Sequence, residues 1–222
     1  LSLGGSEMCI RDSRLQNDEH AANINLVTPT HYTPSIAAAL GELRDSRVLT
    51  IPVVYNTSSF DSLEALSLMR GKVDVYLADF KYASALEAGK LSHAPRYPEI
   101  ALAAIEEMVA QVPVWEEDDE GLLLKGVIVR HLVLPGRVEE SKRALATLHD
   151  RFGSSVRLSI MSQYTPLASG LERYGLAGRV TEEEYEEVLD YADSLGVEDY
   201  FWQQGDAAQE SFVPEFNGEG VR

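Results

Sequence analysis

The sequence predicts an α/β fold built on a largely parallel sheet. Short β-rich runs alternate with segments of helical period along the chain after Arg14. Inner runs such as Val73 to Leu77 are apolar on both faces, as buried parallel strands are. No glycine-rich phosphate loop follows the first run and no Walker-type lysine motif occurs, which disfavours a nucleotide-binding Rossmann or P-loop sheet. Five or six strands with helices between them fit an open barrel or another doubly wound sheet.

Each element has a local reason. Asn23 to Val27 reads as the first strand, followed by a loop from Thr28 to Thr33 and by Pro34 in the first turn of a helix. Val48 to Tyr55 reads as the second strand. Asp61 and Glu64 then stand at capping-box spacing ahead of Leu63, Leu66 and Met69 on one helical face. After the third strand, Tyr97 to Val112 carries Ile100, Ala104, Ile105 and Met108 at helical spacing. The acidic run Glu116 to Glu120, closed by Gly121, reads as an exposed turn rather than a metal site. Val127 to Leu134 is a fourth strand ended by Pro135-Gly136, and Leu145, Leu148 and Phe152 mark a helix that stops at Gly153. Val156 to Met161 is the fifth strand. Thr181 and Glu184 form a capping box opening a helix with Val188, Leu189, Ala192 and Leu195 inward. Val197 to Gln203 reads as a final strand, and the tail from Gly205 as irregular.

A chain of 222 residues with 45% hydrophobic content can bury one sizeable core. The net charge of −17 argues against a nucleic-acid partner, because phosphate contacts need a basic surface. No apolar run approaches the roughly 20 residues of a membrane span. One cysteine, Cys9, allows no internal disulfide. Without a secretory signal pattern, the expected location is the cytoplasm.

Residues 1–13 have neither period and do not begin with methionine. Met8-Cys9-Ile10-Arg11-Asp12-Ser13 resembles the translation of a transposon adaptor used in sequencing libraries. The segment is therefore expected to be non-native, with the native product resuming near Arg14 and its true N-terminus missing. On that expectation Cys9 is no ligand, and residues 14–222 contain no cysteine.

Polar residues gather at the C-terminal strand ends, where α/β barrels build their sites. The first strand delivers Thr28, Thr30 and His31, the second Tyr55 and Asn56, and the third Asp79 and Lys81. The fourth delivers Arg130 and His131, and the fifth Ser162, Gln163 and Tyr164. Arg130 lies in an otherwise apolar strand, so its guanidinium requires an acceptor partner. His131 must point to the opposite face and reads as structural. Ser58, Ser59 and Asp61 read as turn and cap residues. Asp79 and Lys81 are an ordinary ion pair or part of a site, and His31 a hydrogen-bonded loop residue or a ligand. Three functional classes stay open. Lys81 could form a Schiff base in a lyase or aldolase. The rim could instead hold an anionic, amine-bearing cofactor through Asp79, Lys81 and Arg130. Or the chain is a non-catalytic binding module.

Several blocks in order carry a family resemblance. They are Asn23 to Tyr32, Val54-Tyr55-Asn56-Thr57, Val73 to Tyr82, Val129 to Gly136 and Met161-Ser162-Gln163-Tyr164-Thr165-Pro166. Together they resemble radical S-adenosylmethionine (SAM) proteins homologous to pyruvate formate-lyase activating enzymes, from about Leu15 to the C-terminus. The resemblance implies a partial (β/α)6 TIM-like barrel over residues 14–222, here lacking its first strand and cluster loop. It implies a metal-binding oxidoreductase with a [4Fe-4S] iron–sulfur cluster on a Cys-x3-Cys-x2-Cys loop. Reductive cleavage of SAM to a 5′-deoxyadenosyl radical would serve a protein substrate, a glycyl-radical enzyme, with an electron donor as further partner.

By position, Asn56 would lie near SAM, Asp79 and Lys81 match the family's Asp-Leu-Lys, and Arg130 matches the strand arginine near the SAM carboxylate and ribose. Gln163 or Tyr164 would meet the adenosine side. Thr28 and Thr30 stand where the family has Gly-Gly-Glu, a departure that bears on the amino contact. The cysteine loop itself is absent, so this chain alone is expected to form no cluster and no radical.

Overall fold

The computed structural model describes Gln16 and residues 21–167, 169–197 and 199–202. Residues 1–13, Gln203 at the end of the expected last strand, and the tail from Gly205 lie outside the described residues. The strands are β1 (Ile24–Val27), β2 (Val53–Thr57), β3 (Val75–Asp79), β4 (Glu116–Glu117), β5 (Leu123–Leu132), β6 (Arg157–Met161) and β7 (Phe201–Trp202). The helices are α1 (Thr33–Asp45), α2 (Leu63–Met69), α3 (Ala85–Ser92), α4 (Tyr97–Gln111), α5 (Val138–Phe152) and α6 (Glu182–Ser194).

Strand order in the sheet is β1-β2-β3-β5-β6-β7, all parallel, with β4 antiparallel beside β5. Spatial order therefore rises with chain order. Crossovers between parallel strands are right-handed, so a monotonic order sends every connecting helix to one face. A doubly wound sheet would need the order to reverse at a switch point. The sheet is the open, partial barrel.

The two faces differ accordingly. Val53, Tyr55, Tyr76, Ala78, Val127, Val129, Leu158 and Ile160 alternate onto the helix side. There they join one core with Leu40, Leu66, Ile105, Leu145 and Val188. Their neighbours Val54, Asn56, Leu77, Asp79, Ile128, Arg130 and Met161 share the inner face.

Several expected boundaries shift. The second strand starts at Val53, because Pro52 has no N–H for a ladder. The third runs Val75–Asp79, since Asp74 turns its carboxylate to the Val53 N–H (2.8 Å). The acidic stretch from Glu116 is not simply a turn: Glu116 and Glu117 pair with β5, and Lys125 bridges Glu116 at 2.8 Å. That hairpin brings Trp115 against Gly126, where an added Cβ would lie 2.6 Å from the indole. Asp61 does not cap α2. Ser62 does, accepting from the Ala65 N–H, while Asp61 is buried elsewhere. The capping box of Thr181 and Glu184 is present with both bonds. Helix α3, capped by Ser84, had no expectation in the sequence.

Candidate functional site

At the C-terminal end of the inner face, β3 and β5 are neighbours with Asp79 directly opposite Arg130. The Arg130 Nε donates to Asp79 Oδ1 at 2.9 Å, and Nη2 lies 2.7 Å from the same oxygen in an ion pair. Nη2 also reaches across β3 to Asn56 Oδ1 on β2, at 2.6 Å. Lys81 Nζ stands 3.5 Å from Asp79 Oδ2. Four of the expected residues thus form one group spanning β2, β3 and β5.

Its charge balance matters. Asp79 is shared by two cations, so the group carries one net positive charge and Asp79 is already engaged. Such a group favours an anionic ligand, such as a carboxylate, over an ammonium. The side chains of Arg130 and Asp79 are 24% and 19% exposed, so a ligand can reach them. Lys81 is 45% exposed and ion-paired, which is not the desolvated setting that activates a Schiff-base lysine.

The first strand contributes differently. Thr28 is exposed at the end of β1 in the left-handed region (φ 51°), its N–H donating to the Asn56 carbonyl at 2.9 Å. Thr30 is not in the Arg130 group. Its hydroxyl donates to Asp61 Oδ1 at 2.8 Å. Tyr55 is turned away from the rim too, because neighbours on a strand face opposite sides. It is fully buried, and its hydroxyl meets Thr33 and Asp61, both at 3.3 Å. Burial pushes the Tyr55 phenol up to about 12. Thr57 donates a short hydrogen bond to Asp61 Oδ2. His31 sits exposed in a 3-10 turn.

Just beyond β6, Gln163 is exposed with Nε2 3.6 Å from Met161 Sδ. Tyr164 donates to the Leu176 carbonyl at 2.9 Å, tying down the loop that follows, and Ser162 is half-buried. Neither Gln163 nor Tyr164 touches the Arg130 group through these bonds.

Behind the rim stand buried polar groups bonded to the segment that follows β3. His131 is buried on the helix side, Nδ1 2.8 Å from the Phe80 carbonyl and Nε2 2.9 Å from Ser141 Oγ. Burial lowers its pKa, against the Phe80 contact and Glu140, which raise it. Glu140 accepts from the Ala83 and Ser84 amides (2.8 and 2.7 Å) and pairs with Arg143 at 2.8 Å. Burial alone would raise its pKa, but these bonds together hold it below the ordinary carboxylate value. Tyr97 bonds backbone at the ends of β2 and β3. Sequence reasoning treated Tyr97 only as a helix start and did not single out Glu140; both act through tertiary contacts that no local pattern encodes.

No family model matches the chain. An uncharacterized protein of Methanocaldococcus jannaschii is 28% identical over 182 residues, covering 81% of this chain and 48% of that protein. The chain therefore spans about half the length of that curated relative. Two solved structures share its fold. A domain of a pyruvate-formate lyase-activating enzyme from Bacteroides vulgatus superposes with TM-score 0.56 at 12% identity, over 82% of this chain and 97% of that one. A radical SAM methyltransferase from Sphaerobacter thermophilus superposes with TM-score 0.61 at 13% identity, over 91% and 59%. The chain thus has the open, partial-barrel fold of these two proteins.

The donor set does not suit an iron–sulfur cluster. The only cysteine is Cys9, and three thiolates are the normal requirement. Among the described residues, no group of three or more His, Cys, Asp and Glu is placed to hold a metal ion. No helix among them is long and apolar enough to cross a membrane.

Proposed function

We propose that the inner rim is a SAM-binding surface of a radical SAM protein. The observation that carries this reading is the bonding of Asn56, Asp79, Lys81 and Arg130 into one group at the C-terminal ends of β2, β3 and β5. Arg130 and Lys81 receive the SAM carboxylate, and Asp79 orients both cations. Asn56 holds the far side of the guanidinium and offers its amide to the ribose. Thr28 lies beside Asn56 on the edge nearest the methionyl amine. Gln163 and Tyr164 supply the adenosine side from the segment after β6. Thr30, tied to Asp61, shapes the β1 loop instead.

Radical formation requires cysteines that residues 14–222 lack, so no step of it belongs to this chain. Reductive cleavage of SAM, and activation of a glycyl-radical partner, are activities of a longer protein on this reading. The test is equilibrium dialysis of radiolabelled SAM against the chain and against Arg130→Ala. Saturable binding weakened at least tenfold by the substitution is expected. Absence of saturable binding, or equal binding by both, removes the reading.

A further inference from the structure

The parallel ladder between β2 and β3 ends at Thr57 and Ala78. Beyond that pair the two strands no longer pair with each other, so their next backbone groups need other partners. One side chain stands in the gap. The Tyr97 hydroxyl, at the start of α4, lies 3.0 Å from the Ser58 carbonyl and 2.9 Å from the Asp79 carbonyl, and accepts from the Lys81 N–H at 3.0 Å. A phenol has one proton, so the two carbonyls share it. The ring is 4% exposed and is fixed by Phe60, Phe80 and Tyr82 at centroid distances of 6.1, 6.5 and 5.7 Å.

The groups it ties are those that carry the rim. Ser58 follows Asn56 by two residues, and Asp79 and Lys81 are themselves rim residues. Arg130 grips Asp79 on β3 and Asn56 on β2 with one guanidinium. Its geometry therefore depends on how the ends of those strands sit relative to each other. We infer that Tyr97 is the positioning residue of the rim, its phenol replacing the ladder where the ladder stops and setting the Asn56-to-Asp79 span.

This rests on the SAM reading only for its ligand readout. A matched control exists: Tyr76 is also fully buried, and its hydroxyl donates to Gln111 at 2.7 Å, joining β3 to α4 away from the Arg130 group. Tyr97→Phe and Tyr76→Phe each keep the ring and delete one buried hydroxyl. Tyr97→Phe unpairs three backbone groups and Tyr76→Phe one side-chain acceptor, so both should lose thermal stability, Tyr97→Phe more. Two measurements separate them. By NMR, the Lys81 amide should exchange about tenfold faster in Tyr97→Phe and unchanged in Tyr76→Phe, as loss of one buried hydrogen bond implies. In SAM dialysis, Tyr97→Phe should bind about tenfold more weakly and Tyr76→Phe within about twofold of the parent. An unchanged Lys81 amide overturns the latch, and so does equal SAM binding by the two variants. If the parent chain binds no SAM, the SAM reading fails, and the latch stands or falls on the amide alone.

Discussion

Two carboxylates lie near the same end of the sheet and differ in every respect that separates support from binding. Asp61 is 3% exposed and is met by the hydroxyls of Thr30, Tyr55 and Thr57, all neutral donors. Asp79 is more open and is met by two cations, Arg130 and Lys81. The first cluster is closed: its donors come from the β1 loop and β2, and it welds them to the entrance of α2. The second holds one positive charge more than it uses, on the face the helices leave uncovered. A buried polar network that is fully satisfied serves architecture. One left with surplus charge at an accessible rim is suited to a ligand.

The largest effect should follow from breaking the closed cluster. Asp61→Ala removes the shared acceptor of three hydroxyls in a largely buried site and should lower stability by about 3 kcal/mol, read from urea unfolding. SAM binding per folded molecule should barely change. If Asp61→Ala instead abolishes binding with little loss of stability, the two clusters are not divided as described. The open cluster should behave in the opposite way. Arg130→Ala should weaken SAM binding by about 2 kcal/mol. Its effect on stability should be about 1 kcal/mol, since Asp79 keeps Lys81 and water.

How far the sequence foretold this is uneven, for physical reasons. An α/β fold on a parallel sheet was legible from apolar runs such as Val127 to Val133 alternating with helical segments, but open barrel and doubly wound sheet stayed alternatives until the strand order decided between them. The pairing of Arg130 with an acceptor was legible from the cost of burying a guanidinium alone. The role of Asp61 was not. Asp61 and Glu64 have the spacing of a capping box, but three hydroxyls brought by the fold compete for that carboxylate and win, leaving the cap to Ser62. Tyr55 was expected at the rim beside Asn56, though the alternation of a strand forbids both. The β4 pairing was hidden because backbone ladders are indifferent to acidic side chains. Tyr97 and Glu140 act across 16 to 57 residues of sequence, beyond any local pattern.

A smaller effect should appear with pH, in the scaffold behind the open cluster. The buried His131 has a folded pKa below its ordinary value of about 6.5. The unfolded chain therefore takes up a proton first as pH falls, so stability should drop below about pH 6.5. Glu140, also held below its ordinary value, adds a loss of the same sign only at lower pH, beneath the ordinary carboxylate range. Thermal melts from pH 8 to 5 should show the midpoint falling in the parent chain and falling less in His131→Asn. Equal slopes in both would remove His131 as the source.

The smallest effect expected has the opposite sign. Ser59 lies between Asn56 and Asp61 with φ 62°, in the left-handed region that glycine enters without a steric penalty. It is fully buried, and its hydroxyl has no hydrogen-bond partner among the described residues, while its N–H is satisfied by Thr57 Oγ1 at 3.1 Å. Ser59→Gly removes the unpaired hydroxyl and the strained Cβ together and leaves that backbone bond intact. The greater freedom of glycine in the unfolded chain works against these gains, so a net stabilisation of about 1 kcal/mol is expected. If the loop is only a connection between the two clusters, SAM binding should stay as it was. A variant that is more stable but binds SAM less well would place Ser59 with the open cluster, its strain retained for the ligand.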